Sequence, residues 1–401
     1  MTTMHGVPFE RHTEVRIGLI GCGGRGRSQL KELLALESVR IVAVGDVDAI
    51  GVQKAVSLAA NSGQTPQAFT GADAWRRVID AGIDLAYIAT PWDTHVLYAV
   101  AAMQSGAHAA VEVPAAVTIE ECWRLVETSE RTRKHCVILE NCCYDHVETT
   151  VKRMAAAGKF GAITHAECAY IHDLRSLLLS DQSEGLWRRK PHIERAGNLY
   201  PTHGLGPVAQ CLGIGTDDAF DYMVSMSSRE ASLREYRDQT VAADSPKRAE
   251  VYRHGDMNVS LIRTRLGRTI VLQHDVVTPR PYDRIFLLAG TRGAFRDNPP
   301  RLYLDGVSQH EQWMQLDSYM AEFEDPLWRM LGEIARTRGG HGGMDTIMNY
   351  RLIQTMCEGL PPDIDVYDAA DWSVPGPLSD ESAARRSMPI DFPDFRRNRS
   401  L

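Results

Sequence analysis

Several things are scarce in this chain, and each scarcity excludes something. No apolar run comes near the roughly 20 residues that a membrane-spanning helix needs, so no transmembrane segment is expected. Positive charge is not in excess: 44 Lys and Arg stand against 52 Asp and Glu, a net charge of -8. A chain that negative lacks the attraction on which non-specific nucleic-acid binding and anionic membrane surfaces depend, and neither is expected as a partner. The eight cysteines contain no CxxC pair. No HxxxH or Cys/His cluster has ligand spacing either, so reduced thiols and no metal site are the expectation. The first residues place Glu10, Arg11, Glu14 and Arg16 ahead of the first apolar stretch, with no signal-peptide h-region, small-residue cleavage site or twin arginine. A cytoplasmic location follows as an expectation.

What is present has a clear order. The 401 residues suggest two or three domains. Val15 to Ile20 is a short β-rich run ending in Gly21-Cys22-Gly23-Gly24-Arg25-Gly26, and a helical pattern with Leu30, Leu33 and Leu34 on one face follows. A second apolar strand, Val39 to Val44, ends in Gly45-Asp46. In this strand, glycine-rich turn, helix, strand, acid arrangement a GxGxxG motif is a strong sign of a dinucleotide site. Gly21 permits the tight turn, Gly23 lets backbone approach the pyrophosphate, and Gly26 allows close helix–strand packing. The helix N-terminus offers free N–H groups and the positive dipole end to phosphate. Asp46 suits a ribose 2′-OH and would repel a 2′-phosphate, so NAD is the expected cofactor.

The alternation continues through strands near Leu85–Ala89, Ala109–Val111 and Cys136–Leu139. Their polar ends put Trp92, His95, Glu112, Val113 and Asn141 with Gly21, Gly23, Gly24, Arg25, Gly26 and Asp46 as expected cofactor contacts. After about residue 142 the texture changes to runs of strands, among them 162–171, 220–226, 259–264, 269–273 and 285–289. The expected fold is therefore α/β: an N-terminal Rossmann, doubly wound parallel sheet, then a C-terminal α+β domain with an open, largely antiparallel sheet. The expected boundaries are 1–141 for NAD binding, 142–370 for substrate and oligomerisation, and 371–401 for a tail packing back on the body. Arg237 to Ala249 reads as a polar surface excursion. The open sheet would leave an apolar face, so a homo-oligomer through it is expected.

This order of domains resembles the superfamily of glucose–fructose oxidoreductase and inositol dehydrogenase. Those proteins usually carry Glu-Lys-Pro after the fifth strand, where this chain has Glu112-Val113-Pro114. They also present Asp and, four residues later, His where this chain has Pro201 and Leu205, and it supplies Tyr200 and His203 instead. The run Asn198-Leu199-Tyr200-Pro201-Thr202-His203-Gly204-Leu205-Gly206-Pro207-Val208 looks like the signature of glycoside hydrolase family 109, the NAD-dependent α-N-acetylgalactosaminidases. Glu140-Asn141-Cys142-Cys143-Tyr144, Ala169 to Arg175, Phe220 to Ser228, Pro279 to Tyr282 and His341-Gly342-Gly343-Met344-Asp345 are similar as well.

The resemblance implies hydrolysis that borrows redox chemistry. Hydride leaves C3 of the sugar for NAD, the proton at C2 becomes acidic, the C1 substituent is eliminated, water adds, and the hydride returns. Such a site needs no pair of carboxylates flanking the glycosidic bond. Under this reading His203, Tyr170 and Tyr200 are the catalytic candidates, and Tyr170, Arg189, Tyr200, Thr202, His203 and Tyr282 the sugar contacts. A histidine suits acid–base work near neutral pH. A net sugar or cyclitol oxidoreductase of the same fold is the alternative, and a non-catalytic NAD sensor the remaining one.

Overall fold

The computed structural model describes residues 2–338 and 340–397, which divide into two compact units. Residues 2–145, Pro326–Ser373 and 395–397 form the first, and His146–Asp325 with Val374–Asp394 the second.

The first unit is built on six parallel strands: β1 Val15–Ile20, β2 Val39–Asp46, β3 Gln67–Thr70, β4 Leu85–Ile88, β5 His108–Val111 and β6 Cys136–Ile138. They lie in the order β3-β2-β1-β4-β5-β6, with Ile17 opposite Ile41 on one side and Leu85 on the other. Every residue of β4 and β5 is buried, as expected of strands covered by helices on both faces. The strand order reverses between β1 and β4, the crevice where doubly wound sheets bind their ligands.

The second unit carries a nine-stranded mixed sheet. Its strands are β7 Ile163–Ile171, β8 Phe220–Ser227, β9 Asn258–Thr264, β10 Thr269–Asp275, β11 Leu287–Gly290, β12 Gly293–Arg296, β13 Arg301–Leu304, β14 Met314–Gln315 and β15 Ile390–Asp391. The order is β14-β13-β12-β11-β7-β10-β9-β8-β15, and only the β7–β10 pair is parallel. Strict alternation of buried and exposed residues along β9 shows one covered and one open face. The helices Thr202–Cys211 and Pro375–Ala384 lie against β7 and β8 on the covered side.

Two features differ from the sequence expectation. Residues 326–370 were expected in the second domain and 371–373 in the tail, but Pro326–Ser373 joins the first unit. Its helix Met344–Glu358 buries Met348, Leu352, Ile353 and Met356 in the same core as Ile17, Leu19, Leu30 and Leu33. Each such side chain contributes about 1.5–3 kcal/mol when fully buried, enough to fasten the returning segment. Helical periodicity is legible in the sequence, but the sheet a helix buries against is not. The polar stretch from Arg237 is likewise more than a surface excursion. Arg237 and Lys247 are buried there, donating to the carbonyls of Glu250 and Leu179 at 2.6 and 2.5 Å. In the described part of the tail, Pro375–Ala384 is helical and β15 extends the second sheet.

Candidate active site

In the first unit the glycine-rich turn is shaped by close approaches. Gly21 sits at φ +100°, where a Cβ would lie 2.2 Å from the carbonyl oxygen of Ala89. A Cβ on Gly26 would meet the carbonyl oxygen of Gly21 at 1.9 Å, so helix and strand touch only because both are glycine. Gly23, the N-cap of the helix Gly24–Leu34, is different: its missing Cβ opens onto free space. Backbone N–H groups there are approachable, and no side chain caps them. Asp46 ends β2 with its carboxylate accepting from the N–H groups of Cys22 at 2.5 Å and Asp48 at 3.0 Å. An open helix N-terminus beside a fixed carboxylate fits a dinucleotide: phosphate on the turn, ribose on Asp46.

Arg25 points from the same turn into a buried polar network. Its guanidinium meets Glu112 at 2.6 Å and Asp345 at 2.8 and 3.1 Å, and Asn141 donates to the same Asp345 carboxylate at 2.8 Å. Burial opposes ionisation of Asp345. The hydrogen bond from His341 and the charge of Arg25 outweigh it and hold the carboxyl below the usual range. Val113 is buried, and its side chain has no proton to move. Trp92 is buried in the turn 92–94 after β4. His95 was expected to touch the cofactor, but the structure gives both its ring nitrogens to backbone carbonyls. Nδ1 lies 2.9 Å from that of Pro114 and Nε2 2.8 Å from that of Thr90, so the ring ties two strand-exit loops together.

The second unit gathers an aromatic cluster at the end of β7. Gly204 permits it: a Cβ there would come within 2.7 Å of the Ala169 backbone, so the helix Thr202–Cys211 lies directly on the strand. Tyr200 and His203, at the entry and first turn of that helix, thereby reach Tyr170. Ring centres are 4.5 Å apart for Tyr170–Tyr200, 5.4 Å for Tyr170–His203 and 4.8 Å for Tyr200–His203. Tyr282 joins at 6.1 Å from Tyr170, its hydroxyl 3.1 Å from Arg284, which is paired with Glu148. Thr202, between Tyr200 and His203 in the chain, is fully buried, with no hydrogen-bond partner for its hydroxyl among the described residues.

Arg189 is not brought into the cluster. It pairs with Glu250 at 2.9 Å and donates to the carbonyl of Leu178 at 2.8 Å. Its neighbour Arg188 lies over Tyr200, guanidinium carbon to ring centre 5.0 Å. Burial opposes the charge of Arg188, but the Tyr170 and Tyr200 oxygens and Glu184 hold it firmly protonated. His172, whose Nδ1 is 3.2 Å from the Tyr170 hydroxyl, is the other member that sequence reasoning left aside. Its place two residues after Tyr170, just past the end of β7, was the available signal, since an extended chain puts such residues on one face.

Among the described residues, Glu10, His12 and His108 of the first unit bring ligand atoms within 4.8 Å of one another. They make a poor cation site. Nδ1 of His108 accepts from the N–H of His135 at 2.9 Å, which puts the proton on Nε2, and Glu10 is paired with Lys134.

Residues 144–400 match the family described as "Glycosyl hydrolase 109, C-terminal domain", and residues 15–140 the "Oxidoreductase family, NAD-binding Rossmann fold". A "Glycosyl hydrolase family 109 protein" of Solibacter usitatus is 53% identical over 99% of this chain and 92% of its own length. The chain belongs to glycosyl hydrolase family 109. A relative named "Alpha-N-acetylgalactosaminidase", from Bacteroides fragilis, is 44% identical over 96% of this chain and 92% of its own. The family 109 chain shares its fold with an inositol dehydrogenase homolog from Azotobacter vinelandii in complex with NAD+. That structure has TM-score 0.71, 18% identity, and covers 98% of this chain and 100% of its own. Family 109 membership makes the protein a glycoside hydrolase, carried on a fold of NAD-binding oxidoreductases. No helix among the described residues is long and apolar enough to cross a membrane.

Proposed function

We propose that this family 109 chain hydrolyses α-N-acetylgalactosaminides or closely related glycosides by a redox-elimination-addition sequence, with NAD retained throughout. The name of the Bacteroides fragilis relative supports the substrate class. Asp46, whose charge would repel a 2′-phosphate, supports NAD over NADP. When bound, NAD supplies an acceptor that takes hydride from C3 of the sugar and returns it at the end. The residues of the chain do the binding and the proton movement.

Tyr170, Tyr200 and His203 carry this reading. They place two phenols and an imidazole in mutual contact, in a chain whose Glu112 is followed by valine and not by a lysine. Three proton movements are needed: off the C3 hydroxyl, off C2, and onto the leaving group. Three exchangeable groups within one cluster can divide them, each worth about 10²–10⁴-fold. Arg188 sets a fixed cation beside the two phenols, so negative charge developing on either meets a partner already in place. Tyr282, steadied by Arg284, and His172 extend the surface that would hold the sugar ring.

The test is aglycone release from p-nitrophenyl α-N-acetylgalactosaminide by the purified protein, with absorbance at 340 nm followed in the same cuvette. Release without accumulating NADH is the expected result. NADH accumulating with free sugars and no release would overturn the proposal in favour of a sugar or cyclitol oxidoreductase.

The reading extends to location and assembly. Eight cysteines without a CxxC pair suit the reducing cytoplasm. Met226, Val259 and Leu261 are 66%, 40% and 45% exposed on adjacent strands of the second sheet, an apolar face that suits a second copy of the chain.

A further inference from the structure

The segment His341-Gly342-Gly343-Met344-Asp345 has no place in the chemistry above, yet its backbone is the most contorted in the first unit. His341, Gly342 and Gly343 follow one another at φ +50°, +73° and +104°. A Cβ on Gly343 would lie 2.9 Å from the backbone of Ala335. The turn delivers Asp345 to the start of the helix Met344–Glu358, where its carboxylate is fully buried. One oxygen accepts from Arg25 at 3.1 Å and Asn141 at 2.8 Å, the other from Arg25 and His341, each at 2.8 Å. The same helix meets Gly24–Leu34 twice more, through Thr346 on Glu32 and Asn349 against Gln29, each at 2.6 Å.

The other end of this contact is the glycine-rich turn. Four glycines in the six residues Gly21 to Gly26 leave a backbone that has much freedom to lose when it closes on a phosphate. Cys22 is fixed from outside, its N–H on Asp46 and its carbonyl on Arg27. The Gly24-Arg25-Gly26 end has one side-chain anchor, Arg25, and that anchor ends on Asp345 and Glu112. We propose that Asp345 is a positioning residue for the cofactor: through Arg25 it holds the glycine-rich turn and Glu112 in their binding geometry, so that NAD is retained between turnovers. Ordering the turn in advance removes an entropic cost from binding. The proposal rests on the reading that the first unit binds NAD.

The experiment compares wild type with Asp345→Asn, Arg25→Lys and, as control, Thr346→Val. The control cuts a tie between the same two helices without touching Arg25. NAD carried through purification, NAD+ affinity by calorimetry and the melting temperature of the stripped protein are measured for each. Asp345→Asn and Arg25→Lys are expected to weaken NAD+ affinity at least tenfold and to purify with less cofactor. Thr346→Val should lower the melting temperature and leave the affinity unchanged. If Asp345→Asn and Arg25→Lys lose stability but bind NAD+ like the wild type, the contact is a structural tie only and the proposal fails. Should Asp345→Asn not fold, Arg25→Lys decides by the same criterion. Wild type that binds no NAD+ would instead overturn the underlying reading.

Discussion

Arg188 and Arg189 are identical in type and adjacent in sequence, yet one faces two tyrosines and the other a glutamate. Their order therefore predicts different consequences. Arg188→Lys keeps a charge but loses the planar group over Tyr200, and should lower kcat/KM by roughly 100-fold. Arg189→Lys should stay within about threefold of wild type, since it changes a pair remote from the cluster. Steady-state kinetics on the aryl glycoside distinguishes the two. A second residue-scale prediction concerns acid. The folded-state pKa of Asp345 is depressed below its unfolded value of about 3.9. Its contribution to stability is thus complete above that value and disappears as pH falls through the folded one. Denaturant unfolding should show a constant gap between wild type and Asp345→Asn from about pH 7 to 5, narrowing as the pH drops below about 4.

At the scale of elements, one close approach decides whether the aromatic cluster exists. The helix Thr202–Cys211 carries His203 and lies on β7, which carries Tyr170, at a spacing only Gly204 allows. Gly204→Ala would push a methyl into the Ala169 backbone, which cannot yield as a side-chain tip can. Overpacking of this kind costs about 1–3 kcal/mol and would move His203 away from Tyr170. The expected outcome is a lowered melting temperature, with kcat falling more than substrate affinity. An unchanged kcat would mean that the two residues need not touch.

For the whole molecule, the open face of the nine-stranded sheet is the feature with a measurable consequence. Met226 and Val259 are cross-strand partners, and Leu261 is on the same side of β9 as Val259. Charge placed there should abolish the proposed association without unfolding the chain, because these side chains are exposed in the single chain. Met226→Lys with Leu261→Glu is expected to sediment as a monomer with the wild-type circular dichroism spectrum, its melting temperature lowered only by the lost association. Wild type that sediments as a monomer would remove this face as an assembly surface.

How much could be read without coordinates varies in a regular way. β1 was legible to the residue, because a short β-rich apolar run is what a strand covered on both faces requires. The glycine-rich turn was legible because a positive φ and two backbone collisions leave glycine no competitor. The short strands β12, β13 and β14 left too little pattern to find. What escaped at the site is of one kind. Whether Arg188 or Arg189 faces the tyrosines, whether the His95 ring nitrogens are available, and which unit claims Met344–Glu358 all depend on how segments far apart in the chain meet. Asp345 lies 320 residues from Arg25, and no local preference of either encodes their 2.8 Å contact. The sequence by itself determined the longer elements and the chemical groups on offer, since these follow from local sterics and hydrophobicity. Only the tertiary structure decided which groups share a site, since that is settled by long-range packing.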